Sequence, residues 1–100
     1  MIRTLLAFLL LIPSLSWSYD KEELVCISAY SIGRDVYEAQ GNTESFQLLT
    51  QYQNEIFLKY DVGHFPTAHI DARKFLLKQR WDEDSNYLPD LINDCIAIQN

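Results

Sequence analysis

Two cysteines near opposite ends of the chain constrain its fold more than any other feature. Cys26 and Cys95 are the only cysteines in 100 residues, so one chain can form a single internal disulfide. That bond would close a loop of about 70 residues and stabilise a domain by roughly 4 kcal/mol. Pairing between chains and free thiols are the alternatives. A redox or metal role is less favoured, because neither a Cys-x-x-Cys motif nor further cysteines are present.

The N-terminal segment, residues 1–18, has the pattern of a cleaved secretory signal peptide. Arg3 supplies the positive charge, residues 5–12 form an apolar run, and small residues follow at Ser16 and Ser18. The run is shorter than the roughly 20 apolar residues that span a bilayer. We expect cleavage after Ser18, with cleavage after Ser16 or a retained N-terminal anchor as the alternatives. Export would place the cysteines in an oxidising compartment.

The remaining segment, residues 19–100, is expected to be one acidic domain located in the periplasm or secreted. The chain has 14 acidic and 8 basic residues. Losing Arg3 leaves 7 bases against 14 acids, a net charge of −7. A nucleic-acid-binding domain would normally be basic, so this charge argues against such a partner. We expect another exported protein as the partner, and no stable membrane insertion after cleavage.

Apolar residues recur every three to four positions, which predicts an all-α fold. We expect a small antiparallel bundle of about four helices, with a disulfide between the N- and C-terminal ones. Helices are predicted over residues 21–40, 43–60, 66–81 and from 85 or 88 onwards. Gly33 would permit close approach of a neighbouring helix, or a kink. Gly41 would end the first helix, since glycine is common just after a helix C-terminus.

The third predicted helix carries both apolar and basic residues. Its inner face is expected to contain Ala68, Ala72, Phe75 and Leu76, with Trp81 as a further member. Residues 62–81 contain four bases and one acid, a net charge of +3 on an otherwise acidic chain. Trp and Arg are favoured at binding hot spots, so the candidate partner-binding residues are Arg73, Lys74, Lys78, Arg80 and Trp81. The alternative is that these bases face water or pair with the neighbouring acidic helices.

The candidates for catalysis or metal binding are few. His64 and His69 are the only histidines, with Asp61 and Asp71 nearby. They lack the i, i+4 spacing that places two imidazoles on one helix face, so they are weak metal candidates, and a pH-sensing role is an alternative. The sequence contains no nucleophile elbow, phosphate-binding glycine loop or His-Glu-x-x-His motif. We therefore expect no cofactor and no enzymatic activity.

One segment resembles a known helical motif in its spacing. It comprises Ile32, Gly33, Val36, residues 40–42, Ser45 and Leu49, which are spaced as in a tetratricopeptide-type helical hairpin. It lacks that family's large aromatic start and closing proline, and no second copy follows. The resemblance therefore implies an antiparallel helix pair and no particular activity.

Size, export signal and cysteine use are similar to those of small helical immunity proteins. Our leading hypothesis is a non-catalytic binding protein that inhibits an exported enzyme or neutralises a toxin. Its acidity would speed encounter with a basic cleft. The alternative is an acid- or stress-responsive periplasmic chaperone, because small acidic helical chaperones with one disulfide resemble this chain in general build. A metal-binding protein or an enzyme is the third option.

Overall fold

The computed structural model describes residues 22–100, which form four helices and contain no strand. Helix α1 covers residues 22–39, α2 Thr43–Phe57, α3 Thr67–Glu83 and α4 Tyr87–Gln99. The predicted all-α bundle is confirmed. The predicted signal peptide lies outside the described residues.

The predicted disulfide is present and joins the first and last helices. Cys26 on α1 and Cys95 on α4 are bonded, with their Cα atoms 5.7 Å apart and 69 positions between them in sequence. Both residues are buried, at 7% and 1% exposure. Each cysteine therefore lies on the buried side of its helix.

Helix α1 lies at the centre of the bundle, and the other three helices pack around it. Five consecutive residues, 26–30, are buried, which a helix exposed along one side does not allow. The buried residues of this helix are therefore not confined to its apolar ones. The buried surface includes Ser28, whose Oγ donates a hydrogen bond to the Leu24 carbonyl oxygen at 2.8 Å.

Gly33 permits two neighbouring helices to come close to α1. A Cβ atom at this position would lie 2.7 Å from Leu49 Cδ1 of α2 and 3.0 Å from Ile92 Cδ1 of α4. The first distance is shorter than real Cβ contacts, so a side chain here would displace its neighbours. The predicted close approach is therefore confirmed, and it involves two helices rather than one.

A buried polar network links α1 to α2. Gln53 is 4% exposed. Its Nε2 donates to the Ile27 carbonyl oxygen at 2.9 Å and to Ser31 Oγ at 2.7 Å. Arg34 Nη1 donates to Gln53 Oε1 at 2.6 Å. Burying a polar group without hydrogen-bond partners costs free energy. Because the Gln53 amide has these partners, it can occupy a buried position of α2.

Tyr30 supplies a second buried polar contact, between α1 and α4. The side chain is fully buried, and its hydroxyl donates a hydrogen bond to Gln99 Oε1. Burial raises the pKa of this phenol well above its usual value, and the nearby Tyr52 and Glu55 charges raise it further. The neutral phenol is therefore the form that the fold favours.

The junction between α1 and α2 follows the predicted signals. Gly41 has φ +73°, a left-handed conformation that suits glycine after a helix. The Asn42 side chain accepts a hydrogen bond from the Ser45 amide at 3.2 Å, which caps α2. At its other end α2 stops at Phe57, three residues before the predicted Tyr60, because residues 58–60 form turns.

The predicted inner face of α3 is wrong. Phe75 and Leu76 are 62% and 46% exposed, and Ala68 and Ala72 are also exposed. Only Leu77 is buried on this helix. It packs in a cluster with three other buried apolar residues, Ala29, Ile32 and Leu88.

The reason for this difference is that α3 carries apolar residues on two sides. With 3.6 residues per turn, Ile70, Leu77 and Trp81 share one side, away from Ala72 and Phe75. Ile70 and Trp81 are half-buried, like the flanking residues of an inner face. The smaller set of apolar residues meets α1 and α4, and the larger set faces outward.

Candidate functional site

The loop between α2 and α3 contains a tight turn, and two of its apolar side chains are exposed. The His64 amide donates to the Asp61 carbonyl oxygen at 3.1 Å, which closes a four-residue turn. Gly63 has φ +88°, as the third position of a type II turn requires. Val62, at the second position, is fully exposed, and Leu58 is 85% exposed.

Aromatic rings hold the base of this loop together. Tyr60 and His64 stack with centroids 4.0 Å apart and planes 5° from parallel. Phe65 meets both rings edge-on, at 5.2 Å and 4.7 Å, and lies 6.2 Å from Phe57. The stack joins the two sides of the turn.

A buried carboxylate connects the loop to α1. Glu23 is only 8% exposed. Its Oε1 accepts a hydrogen bond from the Tyr60 hydroxyl, and Lys59 Nζ lies 3.4 Å from its Oε2. A buried carboxylate requires such partners. These contacts connect the loop to the helix that carries Cys26.

A groove with carboxylates along it lies beside the disulfide at this end of the bundle. Its volume is about 320 Å³. The lining contains both cysteines, Glu22, Glu23, Glu55 and one base, Lys59, together with apolar and amide side chains. Three carboxylates against one ammonium give this end a negative local charge. It adjoins the loop through Lys59 and Glu23.

The predicted partner-binding residues of α3 do not form one exposed face. Lys74 is half-buried, with Nζ 3.5 Å from Asp35 Oδ2 of α1. The Arg80 guanidinium lies 5.8 Å from the Tyr87 ring centre, and Trp81 Nε1 donates to the Ser85 carbonyl oxygen at 3.2 Å. Arg73 is half-buried, and only Lys78 and Arg80 of the four bases are exposed. Their role in binding stays a prediction.

The two histidines lie in different surroundings. His64 belongs to the ring stack of the loop, whereas His69 is exposed on α3. Residues 22–100 contain no group of three His, Cys, Asp or Glu side chains arranged to hold a metal ion. Metal binding by these histidines therefore has no geometric support in this part of the chain.

Comparison with protein-family models, curated proteins and solved structures finds no match for this chain. None of the helices within residues 22–100 is long and apolar enough to cross a membrane. The functional argument therefore depends on the geometry described above.

The sequence analysis left residues 61–65 between two predicted helices and considered only His64 and Asp61 among them, as part of a weak metal candidate. The available signal was composition. Residues 57–65 contain three aromatic residues, Leu58 and Val62, beside Gly63, and such a density of apolar residues is unusual for an exposed connection. The partner of Tyr60 was not predictable, because Glu23 lies 37 positions away in sequence.

Proposed function

We propose that this chain is an exported, non-catalytic binding protein that occupies a cleft of another exported protein, as an inhibitor or immunity factor does. The observation that carries the proposal is the ordered loop over residues 58–66, which exposes Leu58 and Val62 next to the acidic groove. An exposed apolar element with acidic surroundings is complementary to an apolar cleft with a basic rim.

The contacts at the base of the loop favour binding. Ordering one side chain at an interface costs about 0.5–1.5 kcal/mol. Tyr60 and His64 are already ordered by stacking, and Lys59 is held near Glu23. A partner would therefore spend little free energy on fixing the loop.

Two further features support action outside the cytoplasm. The disulfide between Cys26 and Cys95 is typical of an oxidising compartment. The sequence of residues 1–18 has the signal-peptide pattern. Both fit a periplasmic or secreted inhibitor that meets its target after export.

The test is capture of a partner from a periplasmic extract by the immobilised, disulfide-bonded protein. We expect one stoichiometric partner at low salt and less of it at high salt, because charge attraction is screened. Leu58→Asp and Val62→Asp should each abolish capture. Leu48→Asp is the matched control, since Leu48 is 47% exposed on α2 and outside the loop.

Two results would count against the proposal. One is that no protein is captured at low salt, and the other is equal capture by the loop variants and the wild type. If the protein instead prevents aggregation of other proteins at about pH 2–3, and Leu58→Asp does not change this, the chaperone alternative is supported.

A further inference from the structure

The outward side of α3 carries an apolar strip with the spacing of a coiled-coil seam. The strip consists of three apolar residues and one polar residue, Ala68, Ala72, Phe75 and Gln79, spaced four, three and four residues apart, with the apolar Leu76 beside it. All five are exposed. Alternating spacings of three and four residues keep one side of a helix in contact with a second helix along its length.

Among the four helices within residues 22–100, α3 has the charge that least opposes contact between two copies of the chain. Helix α1 has four acids and one base, and α2 and α4 have two acids each and no base. Helix α3 has four bases and three acids, and one of the bases, Lys74, lies near Asp35 of α1. The remaining three bases balance the three acids. The α3 surfaces of two copies therefore add no net repulsion to that between the acidic remainders of the molecules.

We propose that the outer strip of α3 pairs antiparallel with the same strip of a second copy of this chain. The two helices are aligned so that Phe75 of one copy packs over Ala72 of the other, and large side chains therefore meet small ones. Asp71 and Lys78 are seven residues apart, on one flank of the strip and both exposed. Antiparallel pairing places Asp71 of each copy beside Lys78 of the other.

Packing favours antiparallel over parallel pairing. In a parallel pair Phe75 would meet Phe75 and Ala72 would meet Ala72, so large side chains would no longer meet small ones. A parallel pair would also place Lys78 beside Glu83 of the other copy and Asp71 beside the uncharged Leu76. Each orientation therefore has its own charge pairs, which the variants below distinguish.

The strip covers residues 68–79, about 18 Å of helix at 1.5 Å per residue, so we expect the contact to bury less than the roughly 1,200–2,000 Å² of stable complexes. The dimer should therefore dissociate on dilution. The inference is independent of the proposed function, because the loop and the outer strip are different surfaces.

The experiment is sedimentation velocity of the disulfide-bonded protein over a range of concentrations from micromolar to millimolar. We expect a monomer that becomes a dimer as concentration rises. Asp71→Lys and Lys78→Asp should each weaken the dimer roughly tenfold, because two attractive pairs become repulsive. Phe75→Asp should abolish it, and Leu48→Asp on α2 should leave it unchanged.

Mixing the two single variants provides the decisive result. One variant then carries two lysines on the flank and the other carries two aspartates, so antiparallel pairing predicts a heterodimer at wild-type strength. The double variant D71K/K78D should likewise recover the dimer, whereas a parallel pair would place the introduced carboxylate beside Glu83 of the other copy. A wild-type protein that stays monomeric at millimolar concentration, or no recovery on mixing, would overturn the proposal.

Discussion

Helices α1 and α3 are of similar length and lie in contact, but they differ in what they bury. Helix α1 buries polar residues, including Ser28 and Glu23, along with its apolar ones. Helix α3 contains Phe75, Leu76, Leu77 and Trp81 in seven positions, yet only Leu77 is buried. Burial in this bundle therefore follows a helix's position among its neighbours more closely than its own apolar content.

The difference has a physical cause. Three helices surround α1, so every side of its middle section meets protein, and its polar groups find partners such as Gln53. Helix α3 contacts α1 and α4 along one side only, through Leu77. Its other apolar side is available to a binding partner. Four tests by substitution examine this comparison, from the largest expected effect to the smallest.

Removing the disulfide should have the largest effect, because it connects α1 to α4. The double change C26S/C95S opens a loop that spans 69 positions, and it should lower the free energy of unfolding by about 4 kcal/mol. Urea denaturation of the variant and of the oxidised wild type measures this difference. A loss below about 1 kcal/mol would mean that packing around α1 is sufficient without the covalent link.

The two sides of α3 should respond differently to truncation. Leu77→Ala removes the one buried side chain of the helix and should cost about 2–4 kcal/mol. Phe75→Ala removes a larger side chain, but it should change stability by less than about 0.5 kcal/mol, because Phe75 is 62% exposed. Thermal or urea unfolding of dilute protein gives both values. Equal losses for the two variants, or a larger loss for Phe75→Ala, would contradict the orientation of α3.

Replacing Gln53 tests the polar network beside α1. Gln53→Leu keeps a similar volume but removes the partner of Ser31 and Arg34. Unsatisfied buried groups cost about 1–3 kcal/mol, so we expect a loss of about 2 kcal/mol in urea denaturation. Gln47→Leu, an exposed position on α2, is the control and should be nearly neutral. A Gln53 variant as stable as the wild type would show that the network contributes little.

The smallest effect is expected in the alkaline range. Burial raises the pKa of Tyr30 above its usual value of about 10. The neutral phenol therefore contributes stability that is complete below pH 10 and is lost as pH rises beyond it. Between pH 9 and 11, the free energy of unfolding should fall more steeply with pH for the wild type than for Tyr30→Phe. The difference in slope should correspond to at most one proton per molecule. Parallel curves for the two proteins would show that Tyr30 titrates normally.

Most of the fold was predictable from the sequence, because local signals determined it. Gly41 marked the end of α1, and it has the left-handed conformation typical of that position. Asn42, directly after it, caps α2, as its residue type favours. Leu49, Gln53 and Ile56 are spaced by four and three residues, as on one side of a helix, and they are the buried residues of α2. The two cysteines predicted which helices meet.

The orientation of α3 and the structure of the loop were not predictable in this way. Helical periodicity reports that a helix has an apolar side, but α3 has two, and only contacts with α1 and α4 select one. The loop depends on the hydrogen bond between Tyr60 and Glu23, which are far apart in sequence. Neither the buried side of α3 nor the hydrogen bond between Tyr60 and Glu23 is marked by a local pattern in the sequence.

The orientation of α3 is the central claim, and neighbouring leucines offer its most direct test. Methyl NMR spectra of dilute, monomeric protein can be recorded with and without a soluble paramagnetic agent. Because Leu76 is 46% exposed and Leu77 is 3% exposed, the account predicts strong broadening of the Leu76 methyl signals and little change at Leu77. Strong broadening at Leu77 with protection at Leu76 would contradict it.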